Sequence, residues 1–395
     1  MSSSAGGRIF TASWGQLESG GSNLGDTAIL AAQLRDLGST GAKVGVLSAD
    51  PQRTSRIFPT ANTISLAGGR VAGFARGVLW ADTVIVGGGE LAQDVSSLLY
   101  SPFNLLPLML ARLFGRQSFA WGIGIGQDNE LRPWTRSLLR RWLGTCRGVT
   151  ARDQPTRRLL LSLGLSSQRV VLAADSAFSL AVPDPCFESA GAPSLAVAPR
   201  NVLNRQGKLL PLELRRKLGL WSEPDATAVR QAWARLLDRH LENHGGEVLM
   251  LPFHTGTLSN SDDRECRAII DLMSASGGVR IVDTTRLESA TEAISRCRAM
   301  VTVPLHGSIL SVVQGVLPLA APYATKGSRF MEQAGLSELL LPPVGTPGWT
   351  RLAWSRLQRV WTDGADLRRC MMDNRRELLR AGRLNLLHFR RTCGY

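Results

Sequence analysis

Short apolar runs alternate along the chain with longer segments in which apolar residues recur at helical spacing. The runs are four or five residues long and rich in Val, Ile and Leu, which is typical of strands buried on both faces of a parallel sheet. The longer segments predict amphipathic helices between the strands. After a short strand-like piece near residue 8, the predicted strands are Lys43–Leu47, Thr83–Val86, Ser118–Trp121, Val149–Asp153, Val170–Ala174, Ser194–Ala198, Glu247–Leu251, Val279–Val282, Met300–Val303 and Leu317–Ala320.

Strands and helices alternate in both halves of the chain, which predicts an α/β protein with two parallel-sheet domains. A stretch with Pro and Gly and without periodicity, residues 183–193, indicates a linker. We therefore expect an N-terminal domain at 1–182 and a C-terminal domain at 194–344, followed by an Arg-rich helical segment at 345–395. No apolar run reaches the roughly 20 residues that a membrane span needs.

The composition, 44% hydrophobic and 20% charged, is ordinary for a globular protein with sizeable cores. The formal net charge of +14 favours anionic partners. Because the chain has no nucleic-acid-binding signature, we expect phosphorylated small molecules or lipid-linked phosphates rather than nucleic acid. The six Cys are scattered without a CxxC pair, so they indicate neither a zinc site nor a disulfide framework. A reducing, cytoplasmic setting is the simplest interpretation.

The stretch at residues 301–336 concentrates the candidate chemistry. His306 follows one predicted strand, and Tyr323 and Lys326 follow the next. Ligands of open α/β sheets bind at the carboxyl ends of the strands, so we expect these three side chains at a binding site. His306 can give or take a proton near neutral pH. Arg200, which also follows a predicted strand, is a second cation that could grip an anionic ligand.

Loops of the N-terminal half carry further candidates. Asp26, with Asn23 before it, precedes a helix predicted over Thr27–Leu37, and it is either a helix cap or part of a loop that binds an anion. Three consecutive Gly at 87–89 follow a strand and either make a tight turn or let backbone approach a ligand. Arg152 is either half of an ion pair at a helix start or a site residue.

These residues form short motifs whose order resembles the polysaccharide pyruvyl transferase family, over roughly residues 8 to 340. The motifs are Asn23-x-Gly25-Asp26, the Gly turn followed by Gln93 and Asp94, Arg152-Asp153, a Pro-x-His segment ending at His254, and a C-terminal pattern of His306, Gly307, Gly315, Pro318, Tyr323 and Lys326. The resemblance implies two Rossmann-like parallel-sheet domains that face a cleft, as in the GT-B glycosyltransferases.

The resemblance also implies a reaction. The family transfers the enolpyruvyl carbons of phosphoenolpyruvate onto two sugar hydroxyls as a cyclic ketal and releases phosphate. That chemistry needs an acid and a base, for which the candidates are His306, Asp26 and Asp94, and it needs cations to hold the donor. The expected substrate-binding residues are Arg200, Lys326, Tyr323, Asn23, Gly88, Gly89, Arg152 and His254. No metal and no redox cofactor is expected.

The expected function is thus that of a cytoplasmic pyruvyl transferase in cell-surface polysaccharide biosynthesis, acting on a saccharide that can be lipid-linked. Two positions are unusual: Pro304 stands where the family has Arg, and Glu90 places a carboxylate after the Gly turn, where it would oppose an anionic ligand. Two alternatives stay open. One is a GT-B-type glycosyltransferase that uses a nucleotide sugar, and the other is a non-catalytic saccharide-binding relative.

The segment at 345–395 holds eleven Arg against four acidic residues, with Leu and Phe at helical spacing. Three interpretations compete: a helix that packs back on the N-terminal domain, a surface in peripheral contact with the anionic inner face of a membrane, and an Arg-rich solvated face. The pattern favours the first, and the second can coexist with it.

Overall fold

The computed structural model describes most of the chain. The described residues are 6–12, 22–94, 97–126, 131–181, 194–201, 225–256 and 261–395. The linker predicted at 183–193 lies outside them, so the domain limits that depend on it stay a prediction.

The strands and helices of the described chain are defined as follows. The strands are β1 Arg8–Thr11, β2 Ser22–Asn23, β3 Lys43–Ser48, β4 Asn62–Ser65, β5 Thr83–Gly87, β6 Glu90–Ala92, β7 Gln117–Ile125, β8 Gly148–Ala151, β9 Val170–Leu172, β10 Leu195–Ala198, β11 Val248–Met250, β12 His254–Thr255, β13 Val279–Ile281, β14 Ala299–Thr302 and β15 Leu317–Ala320. The helices are α1 Leu24–Gly38, α2 Pro51–Ile57, α3 Arg70–Trp80, α4 Tyr100–Leu113, α5 Pro133–Leu143, α6 Gln154–Ser162, α7 Thr227–His244, α8 Asp262–Ile270, α9 Leu287–Ser295, α10 Leu305–Val313, α11 Thr325–Gln333, α12 Trp349–Thr362 and α13 Gly364–Cys393. Two 3₁₀ turns lie at Ser176–Leu180 and Ser337–Leu339.

Two parallel sheets organise the fold. The first has the order β4-β3-β1-β5-β7-β8-β9, with β6 beside β7, and it belongs to the N-terminal half. The second, β13-β11-β10-β14-β15, belongs to the C-terminal half. Its strands β10, β14 and β15 are buried along their whole length, because helices cover both faces of a parallel sheet. The predicted α/β class with two parallel sheets is confirmed.

Each predicted strand is present, with ends shifted by a few residues. The sequence pattern did not predict the elements between residues 51 and 80, nor the short strands β2, β6 and β12. Helix α2 and strand β4 each have a single buried residue, so neither carries the apolar stripe by which a buried element is recognised.

The starts of two helices differ from the prediction. Helix α1 begins at Leu24, and its cap is Asn23, whose side-chain oxygen accepts a hydrogen bond from the Gly25 amide at 3.1 Å. The prediction that Asp26 caps this helix is therefore wrong, since Asp26 lies inside the first turn. Helix α10 begins right after Pro304, which places His306 in the first helical turn rather than ahead of the helix.

A small antiparallel pair joins the two halves. Strand β2 of the N-terminal half pairs with β12 of the C-terminal half, with Asn23 opposite His254. The amide of Leu24 also donates to the Phe253 carbonyl at 2.8 Å. These backbone bonds hold the start of α1 against the carboxyl end of the second sheet.

Helix α13 extends over both cores and contains thirty residues, about 45 Å of helix at 1.5 Å per residue. Met371 and Leu378 on this helix belong to the core of the second sheet. Near its end, Phe389 packs on Phe119 and Trp121 of the first sheet, with ring centroids 5.2 and 5.6 Å apart. Among the described helices, none is both long and apolar enough to cross a membrane.

Candidate functional site

His306 and Asp175 face each other from the two halves of the molecule. His306 lies in the first turn of α10, which follows β14, and Asp175 follows β9 and caps the turn at Ser176–Leu180. His306 Nε2 is 3.7 Å from Asp175 Oδ2, and the two side chains are 15% and 4% exposed. Neither atom has a hydrogen-bond partner in the described part of the chain. At this ion-pair distance, Asp175 is the acidic partner of the imidazole.

Arg152 brings a cation to the same carboxylate. Its Nη1 lies 3.6 Å from Asp175 Oδ2, and its Nε lies 3.7 Å from Asp153 Oδ2. The guanidinium packs on Gly124 of β7, where an added Cβ would be 2.5 Å from Nε. The Gly-rich sequence after Trp121 therefore continues the strand to Ile125 and leaves space for Arg152.

The pKa of Asp175 is lowered from its ordinary value. Burial acts to raise it, but the contact and charge of His306, the charge of Arg152 and the Ala177 amide together outweigh burial. That amide donates to Asp175 Oδ1 at 3.1 Å. The carboxylate is therefore ionised at neutral pH.

The other side of the imidazole faces the start of α1. An added Cβ on Gly25 would lie 2.6 Å from Cγ of His306 and closer still to Nδ1. A side chain at this position would occupy the space of the ring. Asn23 caps the same turn and pairs with His254, and Asp26 follows one residue later. The structure thus brings four predicted site residues together here: Asn23, Asp26, His254 and His306.

Lys326 meets Glu90 across the two halves. Its Nζ donates to Glu90 Oε2 at 2.8 Å, and the two side chains are 21% and 18% exposed. The same Nζ lies 5.9 Å from the centre of the Tyr323 ring. The carboxylate that was expected to oppose an anionic ligand is therefore paired with one of the cations expected to bind it.

Arg200 is bound to a buried carboxylate. Its Nε and Nη2 donate to Asp262 at 3.2 and 2.8 Å, and Asp262 also accepts from the His254 amide at 2.8 Å. Burial acts to lower the pKa of Arg200, but the charge and hydrogen bonds of Asp262, aided by the Tyr323 hydroxyl, raise it above its ordinary value. Arg200 thus has a structural partner, and its role as a donor-binding cation stays a prediction.

The Gly turn and Asp94 have structural contacts of their own. Gly88 has a φ of 82°, a conformation that favours glycine, and a Cβ there would overlap the side chain of Ile29 on α1. At Gly89 an added Cβ would have nothing closer than 4.0 Å, which leaves that backbone open to a ligand. Asp94 accepts from the Arg132 amide at 2.8 Å and from Thr135 at 2.9 Å. These bonds make Asp94 a cap for the start of α5.

A small recess, partly open to solvent, lies beside Asp175. Its lining includes three cations, Arg152, Lys326 and Arg329, two carboxylates, Asp153 and Asp175, and apolar side chains such as Leu305 and Phe330. In the described ranges, no group of three His, Cys, Asp or Glu side chains is placed so that it could hold a metal ion. The arrangement can hold an anion in the recess and move a proton at the neighbouring imidazole.

Sequence reasoning missed three residues of this region. Asp175 and Asp262 were not recognised as site residues because their partners are distant in sequence. Their positions were a usable signal, since Asp175 directly follows a predicted strand and Asp262 begins a helix. Arg329 lies one helical turn after Lys326 on α11. That i, i+3 spacing could have identified it as a second cation on the same helix face.

Comparison with known proteins gives a family and a fold. The family model described as polysaccharide pyruvyl transferase matches residues 23–319. No curated protein matches the chain in sequence.

Solved structures of low identity share its fold. One is a UDP-GlcNAc 2-epimerase from Neisseria meningitidis bound to UDP-GlcNAc, at 9% identity and TM-score 0.61, covering 97% of this chain and 98% of the other. A putative UDP-N-acetylglucosamine 2-epimerase from Listeria monocytogenes has 12% identity and TM-score 0.59, with coverage of 93% and 91%. Anabaena Alr3699/HepE in complex with UDP-glucose has 12% identity and TM-score 0.53, with coverage of 98% and 99%. These similarities show the GT-B-like architecture of two parallel-sheet halves.

Proposed function

The chain belongs to the polysaccharide pyruvyl transferase family, and from this premise we propose that it transfers pyruvate from phosphoenolpyruvate to two hydroxyls of a saccharide. The observation that carries the proposal is the imidazole of His306, which lies against the start of α1 and is paired with the ionised Asp175, a residue that lines the recess. A proton-transferring group beside an anion-binding recess is what the reaction requires.

The proposed mechanism uses the two nitrogens of His306 differently. Nδ1 lies against Gly25 at the start of α1, where even a methyl group would not fit. Nε2 lies 3.7 Å from Asp175, which orients the ring and lines the recess, so we assign to Nε2 the proton exchange with substrate. The protonated Nε2 gives its proton to the methylene carbon of the donor, and the electron pair of the C=C bond forms the new C–H bond. Positive charge then develops on the carbon that bears the phosphate oxygen.

A sugar hydroxyl oxygen attacks that carbon, and the neutral Nε2 takes the hydroxyl proton. The bond from this carbon to the phosphate oxygen breaks, and the second hydroxyl closes the ketal while its proton leaves with phosphate or solvent. Asn23 and Asp26, at the start of α1, are the residues that we propose bind the sugar hydroxyls. The acceptor we propose is a saccharide of cell-surface polysaccharide assembly, lipid-linked and reached from the cytoplasm.

The test is release of phosphate from phosphoenolpyruvate in the presence of lipid-linked and nitrophenyl sugars. We expect turnover by the wild type, and a loss of kcat of roughly 10²–10⁴ in His306→Ala. His244→Ala is the matched control, because His244 lies among Trp354 and Trp361 at the far end of α7, and we expect it to keep wild-type turnover. The thermal melt of each variant separates lost chemistry from lost folding.

Two outcomes would overturn the proposal. Wild-type kcat in His306→Ala would remove the imidazole from the mechanism. Binding of a UDP-sugar by the wild type, with no phosphate release from phosphoenolpyruvate on any acceptor, would replace pyruvyl transfer by nucleotide-sugar chemistry.

A further inference from the structure

The three cations of the recess differ in what already neutralises them. Arg152 lies within 4 Å of two carboxylates, Asp153 and Asp175. Lys326 is bound to Glu90 at 2.8 Å. Arg329 is the exception: its one polar contact in the described chain is a bond of 3.4 Å from Nη1 to the Ile125 carbonyl, and no described carboxylate lies within ion-pair distance of it. Among the described residues, Arg329 is thus the recess-lining cation that has no ion-pair partner.

Arg329 and Lys326 share one face of α11, because residues three apart on a helix are neighbours. Both line the same recess, next to Leu305, which immediately precedes the proposed proton-transferring His306. Pro304, the cap residue of α10, carries no charge. Since Arg152 already lies within 4 Å of two carboxylates, the cations of α11 are the better candidates for holding a ligand in the recess.

The pairing of Lys326 with Glu90 bears on how such a ligand would bind. A carboxylate in contact with Lys326 occupies the position that an anionic oxygen of a ligand would take. The exchange of one anion for another at Lys326 keeps its charge paired, so the ammonium is not left buried without a partner. Glu90 thus competes with the ligand for one half of a two-cation clamp, and Arg329, which has no ion-pair partner among the described residues, supplies the other half.

We propose that Arg329 and Lys326 form the clamp for the anionic group of the donor, with Glu90 occupying Lys326 until the donor displaces it. The identity of the donor as phosphoenolpyruvate rests on the proposed function. A guanidinium can hold two oxygens of a phosphate or carboxylate through parallel bonds, while an ammonium acts as a point charge. This assigns to Arg329 the positive charge that the residue at position 304 does not supply.

The experiment is calorimetric titration of phosphoenolpyruvate, and separately of inorganic phosphate, into full-length variants. We expect Arg329→Gln to weaken binding of both anions by roughly tenfold or more, as for loss of a charge-assisted bond. Arg329→Lys should recover part of that loss. Glu90→Gln should strengthen binding several-fold, because it releases Lys326. Arg296→Gln removes the same charge from an exposed position paired with Glu292 and should leave both affinities unchanged.

The outcomes separate the clamp from the reaction. If the wild type binds inorganic phosphate through Arg329 but never releases phosphate from phosphoenolpyruvate, the clamp stands and pyruvyl transfer fails. If phosphoenolpyruvate is turned over and Arg329→Gln keeps the wild-type KM for it, the clamp is wrong and the reaction stands. Wild-type protein that binds neither anion, or equal affinity in Arg329→Gln and Arg296→Gln, overturns the clamp. Melting curves of the variants, with Arg329→Lys as the conservative replacement, exclude unfolding as the cause.

Discussion

Gly25 offers the sharpest test of the contact between the two halves. An added methyl group would lie 2.6 Å from Cγ and 3.0 Å from Cβ of His306, and closer still to Nδ1. Separations of this kind are shorter than van der Waals contact, so either the ring or the start of α1 must move. Gly25→Ala therefore changes the geometry of the site without removing any functional group.

The expected cost combines two opposing terms. Forcing an extra methyl group into a packed region costs about 1–3 kcal/mol. Alanine is favoured over glycine in a helix by about 1 kcal/mol. We therefore expect Gly25→Ala to lower the free energy of unfolding by about 0–2 kcal/mol, with a larger loss of turnover because the imidazole is displaced.

The matched control is Gly38→Ala at the other end of the same helix. Gly38 is exposed, and an added Cβ there would meet nothing within 4 Å. This variant should be as stable as the wild type or more stable by up to about 1 kcal/mol, with unchanged turnover. The difference between the two alanine variants measures the overlap with the imidazole.

A double variant identifies the group that causes the overlap. Gly25→Ala combined with His306→Ala removes the ring, so the methyl group should no longer cost stability, and a coupling energy of about 1 kcal/mol or more should appear in a double-mutant cycle. Urea unfolding and the phosphate-release assay are the measurements. Equal stability of Gly25→Ala and Gly38→Ala, or a cycle that shows no coupling, would refute the placement of His306 against α1.

The remaining predictions concern acid stability and the C-terminal helix. The folded-state pKa of Asp175 is lowered, so its ionised form contributes stability that is complete above the ordinary value of 3.8 and is lost as pH falls through the folded-state value. Between about pH 6 and pH 3, the free energy of unfolding in urea should therefore fall more steeply for the wild type than for Asp175→Asn. Parallel curves would contradict this. Deleting residues from 375 onward removes the buried Arg375 and Phe389, so the truncated protein should melt lower and bind a hydrophobic dye. Unchanged melting with lost sedimentation on anionic vesicles would instead favour a lipid contact for this segment.

The sequence also predicted that several site residues lie at the ends of strands. His306, Tyr323, Lys326 and Arg200 follow strands in the linear pattern, and the carboxyl ends of parallel strands share one edge of a sheet. The structure places these residues at that edge. Their partners were not predictable in the same way, since Asp262 looks like an ordinary first-turn helix residue until Arg200 and the amide of His254 are seen on it.

The start of α1 shows why local sequence preferences do not always identify the residue that caps a helix. The sequence Asn23 to Asp26 contains two good capping residues, and local preference alone does not choose between them. The choice of Asn23 follows from the β2–β12 pair, which sets the backbone of Asn23 in an extended conformation opposite His254. That pairing partner lies in the other half of the chain.

By itself, the sequence determined the two-sheet α/β architecture, the positions of the buried strands and the residue types at the strand ends. These depend on short-range patterns of apolar residues, which each segment carries within a few positions. Only the tertiary structure decided which charges meet: Lys326 with Glu90, 236 positions away, and His306 with Asp175 from the other half. Such pairs carry no local signal, because a side chain's partner is set by how the sheets and the helices between them pack, and only folding brings the two halves together.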